Sequence, residues 1–178
     1  MSVPNPNKLS LAAVKLALYH WVKRECESVI PADQIVWRNQ SEPMPPRPCV
    51  TMKITSGPKR TGYSDNVTYL SGDNYIVGGQ REMVVSVQIF GNTQIHKPMA
   101  YQLAIDLNAS LSKVTVLDRL RASGVAVFNQ GEVDNITALE ETEFEERAAF
   151  DVLLGVAENV VDDPGIIEHV NLENDVHG

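Results

Sequence analysis

The sequence is poor in cysteine and aromatic residues and has no long hydrophobic run. Its 178 residues include two cysteines and 6% aromatic residues. Cys26 and Cys49 fall on a predicted helix and a predicted strand without metal-ligand spacing, so we expect two buried free thiols. The most apolar stretch, residues 148–161, is interrupted by Asp151 and Glu158 and is shorter than the ~20 residues that span a bilayer. We therefore expect neither a disulfide framework nor a membrane-spanning helix.

Positive charge is almost absent from the last quarter of the chain. Residues 1–131 hold 14 of the 15 Lys and Arg and 9 of the 23 Asp and Glu, so they carry +5. Residues 132–178 hold only Arg147 against 14 acids, and their −13 brings the net charge to −8. Either this end is a solvated loop and tail, or it complements the more basic part of a neighbouring subunit in a head-to-tail ring. The acidic balance disfavours binding to duplex DNA, which needs a concentrated basic surface.

Hydrophobic periodicity predicts three helices and six strands. Apolar residues at helical spacing predict helices over residues 8–29, Pro98–Leu111 and Val116–Ala122. Because neighbouring strands are joined by turns or loops rather than crossover helices, we expect an α+β domain. It has a largely antiparallel β-sheet with the N-terminal helix and the central helix pair packed on it. Alternation of apolar and polar residues predicts the strands, which are Ile35–Arg38, Cys49–Thr55, Arg81–Phe90, Val125–Phe128, Glu132–Leu139 and Phe144–Val160.

One domain is expected over residues 1–161, with an acidic tail over residues 162–178. The first eight residues lack the apolar core of a signal peptide, so we expect a cytosolic protein. Residues 57–80 hold five of the eleven glycines and show little periodicity. We expect them to form a long mobile loop or arm, either irregular or with a hairpin of its own. Loops of this length usually are disordered or contact a partner.

The sequence contains no recognisable catalytic or cofactor motif. It lacks a phosphate-binding loop, a dinucleotide fingerprint, a nucleophile elbow and the metal-binding or redox pairs HExxH and CxxC. The four histidines are scattered, and we expect neither a cofactor nor a metal. Five glutamates within residues 140–146 offer paired carboxylates for acid–base chemistry, although acids on a turn are usually solvated. A small enzyme using these acids stays an alternative, as does an adaptor that binds an extended peptide at a sheet edge.

Residues 37–51, WRNQSEPMPPRPCVT, resemble a feature of bacteriophage neck and tail terminator proteins. In that family a helix leads to a short strand ending in Trp, then to an Asn and Gln pair and a proline-rich linker whose last Pro opens a strand similar to PYVT. The resemblance continues through the FGN-like turn at residues 90–92 and covers roughly residues 8–160. Cys49 stands where an aromatic residue is more usual. The matching positions are Trp37, Asn39, Gln40, Pro46, Pro48, Val50 and Thr51.

The resemblance implies a structural virion protein of a tailed phage rather than an enzyme. Such proteins form a ring, commonly of six subunits, that ends growth of the tail tube and joins it to the neck or connector. The implied partners are copies of this chain, the tail tube protein and the neck or connector protein. Genomic DNA would pass through the lumen without specific binding, and no membrane is involved. The implied location is the tail–neck junction of the virion, after assembly in the host bacterial cytoplasm, and another head–tail connector or head-completion protein is the nearest alternative.

Nine residues are candidates for contacts in such an assembly. They come from the Trp motif, the glycine-rich segment, the acidic hairpin and the tail, and they are Trp37, Tyr63, Tyr69, Tyr75, Glu140, Glu141, Glu143, Ile166 and Ile167. The glycine-rich segment and the tail would reach neighbours as added strands or apolar anchors. Trp37 suits a packing role at the edge of the core equally well. An acidic ring would repel the DNA that passes through it.

Overall fold

The structure is a computed structural model. It describes residues 9–38, 43–62, 64–71, 74–91, 99–140, 143–162 and 165. The helices are α1 (Leu11–Cys26), α2 (Ala100–Ser110) and α3 (Val114–Ala122), with a single 3-10 turn at Ala32–Gln34. The strands are β1 (Ile35–Trp37), β2 (Cys49–Arg60), β3 (Asn66–Ser71), β4 (Asn74–Phe90), β5 (Val125–Gln130), β6 (Asp134–Asn135), β7 (Ala138–Glu140), β8 (Glu143–Glu145) and β9 (Arg147–Asp162).

Seven strands form one mostly antiparallel sheet, which confirms the predicted α+β class. The order is β1-β2-β4-β9-β5, with β3 paired to β4, β6 paired to β9, and β7 and β8 forming a separate hairpin. The strands β1 and β2 run parallel, whereas the other described pairs are antiparallel. The strands β4 and β9 pair without a register shift from Tyr75 and Asp162 to Phe90 and Arg147. Side chains therefore alternate strictly between the two faces along the whole length of this pair.

The helices cover one face of the sheet. Helix α2 packs on β4 and β9, α3 packs on β5, and α1 packs against β1 and the other two helices. Beneath them the odd-numbered residues of β4 from Met83 to Ile89 are buried, together with Phe150, Val152 and Leu154 of β9. The other side of the sheet, here called the open face, carries side chains such as Gln88 and Asp151. The hydrophobic core is therefore a single layer between helices and sheet.

The buried indole of Trp21 and the buried hydroxyl of Ser110 are paired within this core. The Trp21 indole N–H donates to Ser110 Oγ at 2.9 Å, and that hydroxyl donates to the Leu107 carbonyl at 2.6 Å. Both cysteines are buried free thiols, as predicted. Burial raises the pKa of Cys26 to about 12, and it also raises the pKa of Cys49. Both side chains therefore pack as small neutral groups.

Several element bounds differ from the predictions. The first helix covers Leu11–Cys26 rather than residues 8–29, because Ser10 caps its start and the chain turns before Pro31. The Ser10 Oγ accepts a hydrogen bond from the Ala13 N–H at 3.3 Å. The single strand predicted over Glu132–Leu139 is wrong, since β6 joins the main sheet and β7 leaves it to pair with β8. Pro98, the predicted start of the second helix, lies outside the described residues.

Of the two predictions for residues 57–80, the irregular loop is wrong and the hairpin is confirmed. Strand β2 continues to Arg60, and β3 and β4 pair as a hairpin from Asn66 and Gly78 to Ser71 and Asn74. Local periodicity misses these strands because adjacent residues such as Ile76 and Val77 are both apolar and point to opposite faces. Pairing between strands, rather than burial under helices, satisfies the backbone here.

Candidate functional site

The sheet extends beyond the helices as a three-stranded arm. The arm consists of β3 with residues 74–80 of β4 and residues 157–162 of β9. Strict alternation along β4 places Tyr75 and Val77 on the same face as the core residue Met83. The arm therefore continues the face that the helices cover nearer the core.

Five apolar or aromatic side chains share this face of the arm, here called the apolar arm face. Val67, Val77 and Val160 lie opposite one another in a row across the three strands. Tyr69 and Tyr75 occupy the next row and pack edge to face, with ring centroids 5.5 Å apart. Val67, Tyr69 and Val160 are 64%, 58% and 54% exposed. A contiguous apolar surface of this kind is typical of a protein–protein interface.

An ion-pair network lies at the base of the arm, on the same face. Arg81 of β4 donates from Nη1 and Nη2 to the two carboxylate oxygens of Asp65, at 2.6 and 2.8 Å. Its Nε donates to Glu158 of β9 at 2.8 Å, and Arg60 donates to Asp65 at 3.0 Å. The network joins β4, β9 and the segment before β3, so it orients the arm relative to the core. A bidentate pair between arginine and carboxylate favours one geometry.

The network makes the stability of the arm depend on pH. The hydrogen bonds from Arg81 hold the pKa of the Asp65 carboxyl below its usual value, and the positive charge of Arg60 acts in the same direction. The contribution of Asp65 should be complete above about pH 4, the usual pKa of an unfolded aspartate, and it should be lost as the pH falls through the lower folded-state pKa. Asp65→Asn should therefore lower the urea midpoint at pH 6, and its difference from wild type should shrink below pH 4.

A matched control for this prediction is Asp118→Asn. Asp118 makes an exposed ion pair with Arg121 on the same helix, at 3.2 Å, and such pairs contribute little to stability. Urea unfolding at pH 6, 5, 4 and 3 measures both variants against wild type. An Asp65→Asn difference that stays constant between pH 6 and pH 3 would contradict the assigned role of Asp65.

The structure brings together some of the predicted interface residues. Tyr69 and Tyr75 pack against each other on the arm, and the backbones of Glu140 and Glu143 pair at the end of the β7–β8 hairpin. Trp37 lies apart from both groups. Tyr63, Glu141, Ile166 and Ile167 lie outside the described residues. The interface role of all nine residues stays a prediction.

Trp37 connects the first strand to the first helix. Its ring is half-buried against the core, and its indole N–H donates to the Lys15 carbonyl at 3.2 Å. The Lys15 ammonium lies 5.3 Å from the ring centroid. These contacts describe a residue that closes the edge of the core between α1 and β1.

Several acids of the last quarter contact basic or backbone groups of the same subunit. Glu145 pairs with Arg47, and Glu158 pairs with Arg81. Glu146 accepts from the Ala100 N–H at 2.7 Å and thereby caps the start of α2. The acidic cluster of residues 140–146 is thus partly structural. Glu145 and Glu146 bind separate partners, so they do not form a carboxylate pair for acid–base chemistry.

The described part of the chain contains neither a cluster of metal-binding side chains nor a membrane-spanning helix. Among the described residues, no three or more His, Cys, Asp or Glu side chains gather in a way that would hold a metal ion. The described helices are too short or too polar to cross a bilayer.

Sequence reasoning missed the valine row and the Arg81 network. Val160 comes 83 positions after Val77, and only the register of β3, β4 and β9 aligns it with Val77 and Val67. Arg81 stands at the start of a predicted strand, where nothing in the local sequence distinguishes it from an exposed arginine. The uneven charge predicted either a solvated tail or contacts between subunits, and it did not predict the ion pairs that Glu145 and Glu158 make within the subunit.

The fold and the arm together define a class of protein: an α+β domain whose sheet extends into an arm with an exposed apolar face. The family model of phage neck terminator proteins matches residues 12–178, so the chain belongs to that family. It is a structural component of the phage neck and tail, as the Trp and proline-rich segment indicated. One similar solved structure is 18% identical, covers 81% of this chain and 96% of its own, and has a TM-score of 0.42. No curated protein matches the chain.

Proposed function

We propose that copies of this chain close into a ring, a hexamer in its expected form, at the head-proximal end of the phage tail. The ring ends growth of the tail tube and presents a docking surface to the neck or connector protein. Membership of the neck terminator family supports this role. The observation that carries the proposal is the apolar arm face, because it lies outside the helix layer and its outer residues are more than half exposed.

The arm suits a head-to-tail contact between subunits. In a ring the arm of one subunit meets a different surface of the next, and a rotation that closes gives a ring rather than a filament. The Arg81 network holds the arm at a defined angle to the core, which favours a single ring geometry. Burial of Val67, Tyr69 and Val160 removes apolar surface from water and stabilises the contact.

The charge of the chain supports passage of DNA through such a ring. Each subunit carries a formal charge of −8, so six subunits form a strongly negative assembly. A negative field weakens adhesion of DNA phosphates to the lumen. Genomic DNA is therefore a passing occupant of the ring rather than a bound ligand.

Electron microscopy of the purified chain with tail tube protein tests the proposal. We expect rings with a central hole, free or at one end of each tube, and tubes of limited length when the chain is present during polymerisation. Light scattering gives the subunit number. A chain that stays monomeric and binds neither tube ends nor connector protein would overturn the proposal, and binding to the connector without binding to tube ends would identify a head-completion protein instead.

A further inference from the structure

The open face of the sheet contains a basic cavity of about 300 Å³. Thr51 and Ser86 are 3% and 8% exposed, so they form the floor of the cavity. They come from β2 and β4, where Thr51 lies opposite Gln88 and Lys53 lies opposite Ser86. The lining residues of this basic cavity are Arg38, Thr51, Lys53, Ser86, Gln88 and Arg147.

The three cations of the basic cavity have no acidic partner among the described residues. The structure records no ion pair there for Arg38, Lys53 or Arg147. Arg147 donates from Nη2 to the Gln88 side-chain oxygen at 2.6 Å, while its buried Nε has no hydrogen-bond partner. Its guanidinium also stacks on the Phe90 ring, 5.0 Å from the centroid. Three cations held close together repel one another, and an anion bound between them would relieve this repulsion.

Of the acids around the cavity, Glu145 is paired with Arg47 and Glu82 lies 4.0 Å from Lys59, which leaves Asp151. It lies opposite Ser86 on the open face and is exposed to solvent. One exposed carboxylate does not balance three cations, of which Arg147 is partly buried. The basic cavity therefore keeps a net positive charge in a chain whose overall charge is −8.

We propose that the basic cavity receives the acidic β7–β8 hairpin of a second copy of this chain. The backbones of Glu140 and Glu143 pair at the end of this hairpin, and Glu141 follows directly in the sequence. Three carboxylates within four residues match the three cations in number and sign. Arginine binds carboxylates through two parallel hydrogen bonds, which would fix the orientation of the hairpin as well as its position.

A carboxylate partner fits the basic cavity better than a DNA phosphate. The recess is small and set into a sheet face, whereas binding to duplex DNA needs an extended basic surface. The last quarter of the chain, residues 132–178, supplies 14 carboxylates and a single basic residue, Arg147. The inference rests on the proposed ring, and it adds a second contact between subunits besides the apolar arm face.

Two charge-reversed variants test the contact between subunits. The cavity variant carries Arg38→Glu and Lys53→Glu, and the hairpin variant carries Glu140→Lys, Glu141→Lys and Glu143→Lys. Each variant alone places like charges at the contact, so we expect its assembly to weaken tenfold or more. An equimolar mixture restores opposite charges at every contact of an alternating ring. We therefore expect the mixture to assemble about as well as wild type, which analytical ultracentrifugation and electron microscopy measure.

Controls separate this inference from the proposed ring itself. Arg119→Glu makes the same kind of charge reversal at an exposed position of α3 and should leave assembly unchanged. Circular dichroism and urea unfolding establish that each variant is folded. If wild type forms rings and either variant alone assembles normally, the inference is overturned while the ring stands.

The remaining outcomes also decide the inference. If both variants fail alone and the mixture also fails, while a chain carrying all five changes assembles, the hairpin contacts the cavity of its own subunit and the inference is overturned. Loss of binding to a short DNA duplex in the cavity variant, with normal assembly, would identify phosphate as the ligand and overturn it as well. Absence of rings with wild type under every condition would overturn the proposed function.

Discussion

Replacing Val67 and Val160 with aspartate is expected to leave the chain folded and to prevent ring formation. Both side chains are more than half exposed on the apolar arm face, and each lies beside Val77 in the same row. Solvent hydrates the new carboxylates in the isolated subunit, so folding is little affected. In an assembled ring the same carboxylates would be buried without partners, which is unfavourable. We expect the dissociation constant for subunit association to rise about a hundredfold, which corresponds to about 3 kcal/mol.

The matched control is Val114→Asp. Val114 begins α3 and is 69% exposed, so it undergoes the same chemical change at a position away from the arm. Light scattering over a range of protein concentrations compares the assembly of the two variants with wild type, and urea unfolding checks that both are folded. Normal assembly of the arm variant, or equal impairment of the control, would exclude the apolar arm face from the subunit contact.

Leu154→Ala is expected to lower the free energy of unfolding by about 2–5 kcal/mol, whereas Leu153→Ala should cost less than about 1.5 kcal/mol. The two leucines are neighbours on β9 and point to opposite faces of the sheet. Leu154 is 0% exposed in the core layer, and its loss leaves a cavity that packed neighbours fill poorly. Leu153 is half-buried on the open face, opposite Val84.

Urea unfolding followed by the fluorescence of Trp21 and Trp37 measures both leucine variants. Equal losses would show that the open face packs as tightly as the helix face, and it would then be a poor place for another subunit to dock. A large loss for Leu154 alone would support a core that is confined to one side of the sheet. The same comparison in assembled rings would show any extra stability that subunit contact gives to the open face.

Much of the fold follows from local patterns. The alternation over Arg81–Phe90 identified this part of β4, and the apolar residues at helical spacing over residues 8–29 identified α1. The Trp and proline-rich segment around Trp37 identified the family, since its residues are close together in the chain. Each of these signals arises from neighbouring residues, and so they can be recognised without knowledge of distant contacts.

The candidate surfaces were harder to predict. Tyr69 and Tyr75 were chosen for their residue type, and the structure places them on one face because β3 and β4 pair in register. Val67 and Val160 gave no comparable signal, although they complete the same surface. The segment that contains β3 was expected to be a long mobile loop or arm, either irregular or with a hairpin of its own, because it is rich in glycine and shows little periodicity.

By itself the sequence determined the α+β class, the buried state of both thiols and the family, because these depend on composition and short-range order. The tertiary structure decided where the arm begins, which acids pair with Arg81 and Arg47, and which cations surround the basic cavity. Those features depend on the register of strands that are far apart in the chain and on which face the helices cover. A one-residue change of register would move every side chain of a strand to the opposite face. For strands as far apart in the chain as β4 and β9, neither segment alone shows which residues pair.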